Sequence, residues 1–175
     1  MNFSLRSLII FTLVLTLSGC VDLGFENPQP KGGKPLDQVP AFLEGKWQMD
    51  DRLLTVSDSR LYYKSDTTSL VPSDSLVINA WNDFIFINFL DKSKDYWTLV
   101  VVRQKGEDME LFLPYLDSRD EKKLIRKYDA VVHNTKSNPQ ENKINKAYII
   151  NPTEKEWKKL LKSSVFEKVQ VSRAE

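Results

Sequence analysis

The sequence predicts a mainly β fold of the α+β class: an antiparallel meander sheet or a barrel, with two short helices in its C-terminal half. Three observations predict it. Short runs rich in β-branched and aromatic residues recur between residues 45 and 114, each bounded by Ser, Asp, Asn or Gly. These runs follow one another through tight turns, which favours antiparallel pairing over the long crossovers of a parallel sheet. Two later segments, 117–128 and 151–161, carry acidic residues in their first turns and apolar residues at helical spacing.

Taken in order, the first strand is expected around Trp47, two residues after Gly45, in the segment 42–49. Residues 53–56 and 60–64 form a hairpin across Ser57-Asp58-Ser59, a run of turn-forming residues. A polar loop covers 67–74, and strands 75–78 and 83–89 flank a turn at Asn82-Asp83. Strands 96–103 and 109–114 follow, separated by Gly106-Glu107-Asp108. The first helix has Asp117 or Ser118 as its cap, and residues 134–145 read as a polar linker. After a strand at 147–150, the second helix is capped either by Asn151 with proline at its first position or by Thr153 with Glu156 as a capping box. Residues 166–173 alternate apolar and polar, as a half-buried last strand does.

The start of the chain is different. Arg6 is followed by the uncharged run 7–19, with an apolar core too short to span a bilayer comfortably. This is the anatomy of a secretory signal, here assigned to residues 1–19. Leu17-Ser18-Gly19-Cys20 closely resembles the lipobox of bacterial lipoproteins. That resemblance implies acylation of the Cys20 thiol and a mature chain beginning there. It also accounts for the only cysteine in 175 residues, since a lone free thiol is a liability in an oxidising compartment. Residues 20–38 contain three prolines and Gly32-Gly33, and are expected to be a lipidated N-terminus and flexible tether. Residues 39–175 are expected to be a single β-rich domain. Val21 stands where an inner-membrane retention signal of the enterobacterial pattern has aspartate, so the resemblance implies the outer membrane.

The Gly45-Lys46-Trp47 motif, the meander and the helix-then-strand ending resemble the calycin group of lipocalin-like barrels. In that family the Trp of a Gly-x-Trp motif closes one barrel end and a late Arg packs across it. Trp47 and Arg173 are the matching positions. Trp47, Tyr63, Trp81, Phe86, Trp97, Phe112 and Arg173 either line a pocket for a small apolar ligand or belong to the ordinary core and its rim, since aromatics dominate β-sheet packing.

Charge and motif content exclude several classes. Without residues 1–19 the chain holds 24 basic and 24 acidic residues, which argues against a nucleic-acid footprint. The basic run 122–127 is offset by Asp117, Asp120 and Glu121 and reads as a solvated helix face. One histidine, His133, cannot build a multi-histidine metal site, and no serine has a nucleophile-elbow context. Asp50-Asp51 and Asp120-Glu121 point apart on any regular element. No catalytic residue, metal or cofactor is therefore assigned. The expectation is a lipid-anchored accessory module of the cell envelope that meets a protein partner, or alternatively a lipocalin-like binder.

Overall fold

The computed structural model describes residues 21–49, 52–63, 66–116, 118–136 and 144–174. The signal segment and the lipobox Leu17, Ser18, Gly19 and Cys20 lie outside these residues, as do Asp50, Asp51 and Asp117.

The chain starts with β1 (Val21–Phe25) and β2 (Lys34–Leu36), followed by a short 3₁₀ turn at Ala41–Leu43. A first meander comprises β3 (Gly45–Met49), β4 (Arg52–Ser57), β5 (Arg60–Tyr63) and β6 (Asp66–Ser69). A second comprises β7 (Leu76–Trp81), β8 (Phe84–Asp91), β9 (Tyr96–Lys105) and β10 (Asp108–Pro114). Helix α1 (Ser118–Tyr128), β11 (Val131–Lys136), β12 (Ile144–Ile150), α2 (Glu154–Leu160) and β13 (Phe166–Arg173) complete it. Turn chemistry matches the strand twist: Asp58 and Ser59 both have positive φ, at 51° and 56°, as the primed hairpin turns require. The α2 cap is the Thr153 alternative, with Glu156 Oε2 accepting from the Thr153 N–H at 2.7 Å.

The strands form a curled half-barrel in the order β11-β12-β1-β9-β10-β13-β3-β4-β5-β6, with β8, β7 and β2 branching from β9. The branch arises because β9 is long. One edge pairs with β8 over residues 96–103, and the other is shared between β10 at 101–105 and β1 at Trp97. Among the described residues β2, β6 and β11 each pair on one side only, so the sheet does not close.

Three expectations are corrected. Within the segment 20–38, expected to be a tether, the described residues 21–38 are instead part of the sheet, since β1 pairs in parallel with β12 from Val21↔Lys146 to Phe25↔Ile150, and β2 pairs with β7. The folded body therefore includes residues 21–38 and is not confined to 39 onward. The loop predicted at 67–74 begins as strand β6, and β11 and β12 extend into the stretch read as linker. Local polarity misled in each case, because sheet pairing satisfies the backbone of polar segments as well as apolar ones.

Alternation along the central strands builds two cores. Phe86, Leu99, Val101, Phe112 and Phe166 face the helices, where fully buried Trp157 lies 4.8 Å from Phe86 and 5.6 Å from Phe25 between ring centroids. The adjacent residues Ile87, Val102, Met109 and Val171 face the opposite side and meet Trp47, Val56 and Leu70 inside the curl. On one face of β1 Gly24 leaves room for the Tyr96 ring, which a Cβ would approach to 2.7 Å, and the Tyr96 hydroxyl donates to Asp22 at 2.9 Å. Burial, then Asp22, push that hydroxyl's pKa upward.

Beyond β1, Gln29 is 2% exposed and every polar group of it is engaged. Its N–H donates to Asn88 Oδ1 at 2.7 Å, and its carbonyl accepts from Asn79 and Asn88 at 3.0 and 2.9 Å. Its side-chain oxygen accepts from Trp157 Nε1 at 3.2 Å, and its Nε2 donates to the Asn27 carbonyl. Removing one partner of such a network leaves buried groups unsatisfied, at about 1–3 kcal/mol each. The Asn88→Leu variant is expected to lose about 2–4 kcal/mol of unfolding free energy in urea, against about 1 kcal/mol or less for exposed Asp95→Asn. Equal midpoints for the two would refute the network's role.

Candidate functional site

The residues singled out from sequence fall into separate places. Trp47 is 2% exposed, donates from Nε1 to the Leu43 carbonyl at 2.8 Å, and carries the Arg173 guanidinium over its ring at 5.0 Å. Pairing of β3 with β13 sets this contact, because Arg173 stands directly opposite Trp47 in the ladder. Arg173 Nη2 also donates to the Glu44 carbonyl at 2.6 Å. Gly45 has φ of +134°, and a Cβ there would lie 2.7 Å from Arg173 Nη2, so glycine is required twice over. The Trp–Arg contact expected from the calycin resemblance is thus present.

The other aromatics do not join it. Phe86 and Phe112 are buried on the helix-facing side, with Trp81 and Trp97 packed partly buried against them. Trp81 lies 6.2 Å from Phe86, and Phe84 5.6 Å from Phe112. For Tyr63, only the backbone pairing with Leu54 and Asp66 is described. A single cavity lined by Trp47, Phe86 and Phe112 is therefore not what these residues build. Neighbouring residues on a strand point to opposite faces, and the sheet lies between them.

Sequence reasoning missed a charged cluster where the helix-facing side emerges from under the helices. Glu110 is 2% exposed and accepts from Arg103 Nε at 2.9 Å and from Arg103 Nη2, while Lys168 donates to its other oxygen at 3.2 Å. The Arg103 guanidinium also sits 5.1 Å from the Phe84 centroid. Cross-strand pairing Arg103↔Glu110 makes the cluster, and only the β9–β10 register could have revealed it. Its hydrogen bonds from Arg103, followed by those from Lys168, hold the Glu110 carboxyl below the usual carboxylate range against burial.

A cleft of about 440 Å³, with Val131 and Ile149 in its wall, lies between the end of α1, the end of β12 and the start of α2. Glu26, Lys127, Tyr128, Asp129, Asn151 and Glu156 line it. Asn151 donates to Glu26 at 2.5 Å, and Thr153 holds the Glu156 carboxyl below its ordinary value. The buried Tyr128 hydroxyl has no hydrogen-bond partner among the described residues, and burial, then Glu156, raises its pKa. Among the described residues no group of three or more His, Cys, Asp or Glu side chains could hold a metal ion. His133 is exposed on the edge strand β11, opposite Ala147. Asp120 accepts from Ser164 at 2.6 Å and Glu121 from Tyr148 at 2.7 Å, so these neighbours do diverge. Burial, then Glu121, pushes the Tyr148 hydroxyl up to about 12.

Compared with family models, curated proteins and solved structures, the chain has no match in any of the three.

Two measurements follow from this geometry. Arg173→Ala is expected to cost about 1–2 kcal/mol in denaturation and to change Trp47 emission, whereas Arg173→Lys recovers only part of the stability. Emission unchanged in both variants would contradict the stacking. For Glu110 the folded pKa lies below the ordinary 4.5, so its contribution is present above that value and is lost as pH falls through the folded pKa. Thermal melts from pH 6 downward should show a shallower acid limb in Glu110→Gln than in the parent. Parallel limbs would exclude Glu110 as a source of the acid sensitivity.

Proposed function

We propose that the chain is a lipid-anchored bacterial lipoprotein, a non-catalytic accessory module that meets a protein partner at the cell envelope. The observation that carries this reading is Leu17-Ser18-Gly19-Cys20 at the end of an uncharged apolar run, with no other cysteine in the chain. Two or three acyl chains, at about 0.8 kcal/mol per buried methylene, make attachment effectively permanent. The folded body adds two supports. Most of its large apolar side chains pack into cores on the two faces of the sheet, and among the described residues no helix is long and apolar enough to cross a membrane. Val21 after the cysteine favours the outer membrane. The small-ligand alternative has less support, because its intended lining residues are divided between the two faces.

The test is the Cys20→Ala variant beside the parent chain, with fatty-acid labelling and membrane fractionation in a bacterial host. The parent is expected to incorporate label and sediment with membranes, and the variant to take up none. Labelled fatty acid in the variant, or none in the parent, would refute lipid attachment at Cys20.

A further inference from the structure

The Tyr128 hydroxyl is a buried polar group left unsatisfied beside an open space. Its residue is only 7% exposed, and the oxygen has no hydrogen-bond partner among the described residues. A hydroxyl withdrawn from water without a partner carries an uncompensated desolvation cost, so in a native protein it points to something that completes it. Tyr128 forms part of the wall of the cleft between α1, β12 and α2, and the charge its hydroxyl feels is that of Glu156, another wall residue. The unsatisfied group therefore lies on the cleft side of the core.

The cleft supplies the rest of a site. Glu26, Asp129 and Glu156 stand in its wall against one cationic side chain, Lys127, which leaves two negative charges in excess among the described residues. Glu26 and Glu156 each commit one oxygen, Oε2, to Asn151 and to Thr153, and keep the other for a further donor. Val131 and Ile149 add an aliphatic strip. Among the described residues no three carboxylates stand close enough to hold a metal ion, so the excess charge suits a cation carried on an organic body. At about 440 Å³ the cleft far exceeds the roughly 30 Å³ of one water and falls within the roughly 300–1,000 Å³ of small-molecule sites.

We infer that this cleft binds a primary alkylammonium group, its N–H donors shared between the Tyr128 hydroxyl oxygen and the carboxylates of Glu26, Asp129 and Glu156, and its methylenes laid along Val131 and Ile149. An ammonium has three donors and no acceptor, which is what an unpartnered oxygen among carboxylates can receive. A free aliphatic amine and the lysine side chain of a partner polypeptide both present this group. Binding here needs no lipid anchor, so it stands or falls separately from attachment at Cys20.

The experiment uses the full chain in uncharged detergent at low ionic strength, titrated in a calorimeter with cadaverine, with a lysine tripeptide blocked at both ends, and with pentanediol as the uncharged control. Saturable binding of cadaverine, and none of the diol, is expected. Tyr128→Phe should weaken cadaverine about tenfold while its urea midpoint stays level or rises, because that variant removes only an unpaired group. Glu26→Gln/Asp129→Asn should weaken it about tenfold or more, and exposed Asp95→Asn should bind as the parent does. Peptide binding as tight as that of cadaverine supports a polypeptide lysine as the source of the group, and cadaverine binding without the peptide supports a free amine. No saturable binding of either probe, equal binding of the diol, or undiminished cadaverine binding in Tyr128→Phe would overturn the site. A lowered urea midpoint in Tyr128→Phe would overturn it as well, since the hydroxyl would then be bonded within the protein.

Discussion

The buried amide of Gln29, gripped by Asn79 and Asn88, is the constraint on which much of this fold depends. It draws a polar, proline-bearing segment into the interior, where an unsatisfied backbone group would be prohibitively costly. Full satisfaction makes the position specific, because only one register of the N-terminal segment matches the two asparagines. That register seats Phe25 against Trp157 and brings Gln29 Oε1 to the indole N–H. Helix α2, only seven residues long, is too short to be stable by itself and takes its stability from this packing.

The same segment explains the parallel pair. Strands β1 and β12 are far apart in sequence, and their pairing carries α1 and β11 with it as a flank on the central sheet. Gly24 lets the Tyr96 ring lie across β1, so the flank is sealed on the side away from the helices. On the other side, Leu23, Tyr148 and Leu124 join the first core. Long strand β9 divides the molecule: odd residues 99 and 101 serve the helices, and Val102 serves the curl. A ligand cavity would need one of these cores to open, and the aromatics that suggest one are shared between both.

The charged cluster at Glu110 is internally compensated by Arg103 and Lys168, which suits a stabilising role on an open sheet face. The cleft near Tyr128 has a tyrosine, carboxylates and one lysine, and one oxygen of each glutamate is committed to Asn151 or Thr153.

Local patterning made most of the strands from residue 45 onward, both helices and the hairpin turn at Ser57-Asp58-Ser59 legible, and it carries the motif at Cys20 on which the proposed lipid attachment rests. These features are legible because they depend on periodicity, turn residues or contiguous motifs. The Trp47–Arg173 contact was legible only through a family resemblance, since 126 residues separate its partners. Tertiary structure alone decided that the stretch after Cys20 is sheet and not tether, that the aromatics divide between two faces, and that Arg103 meets Glu110. Proline, glycine and polar side chains argue locally for a loose segment, and nothing nearby reveals that Asn79 and Asn88 wait for its backbone. Strand pairing and buried polar networks are long-range agreements between segments, and a single segment carries only its own half.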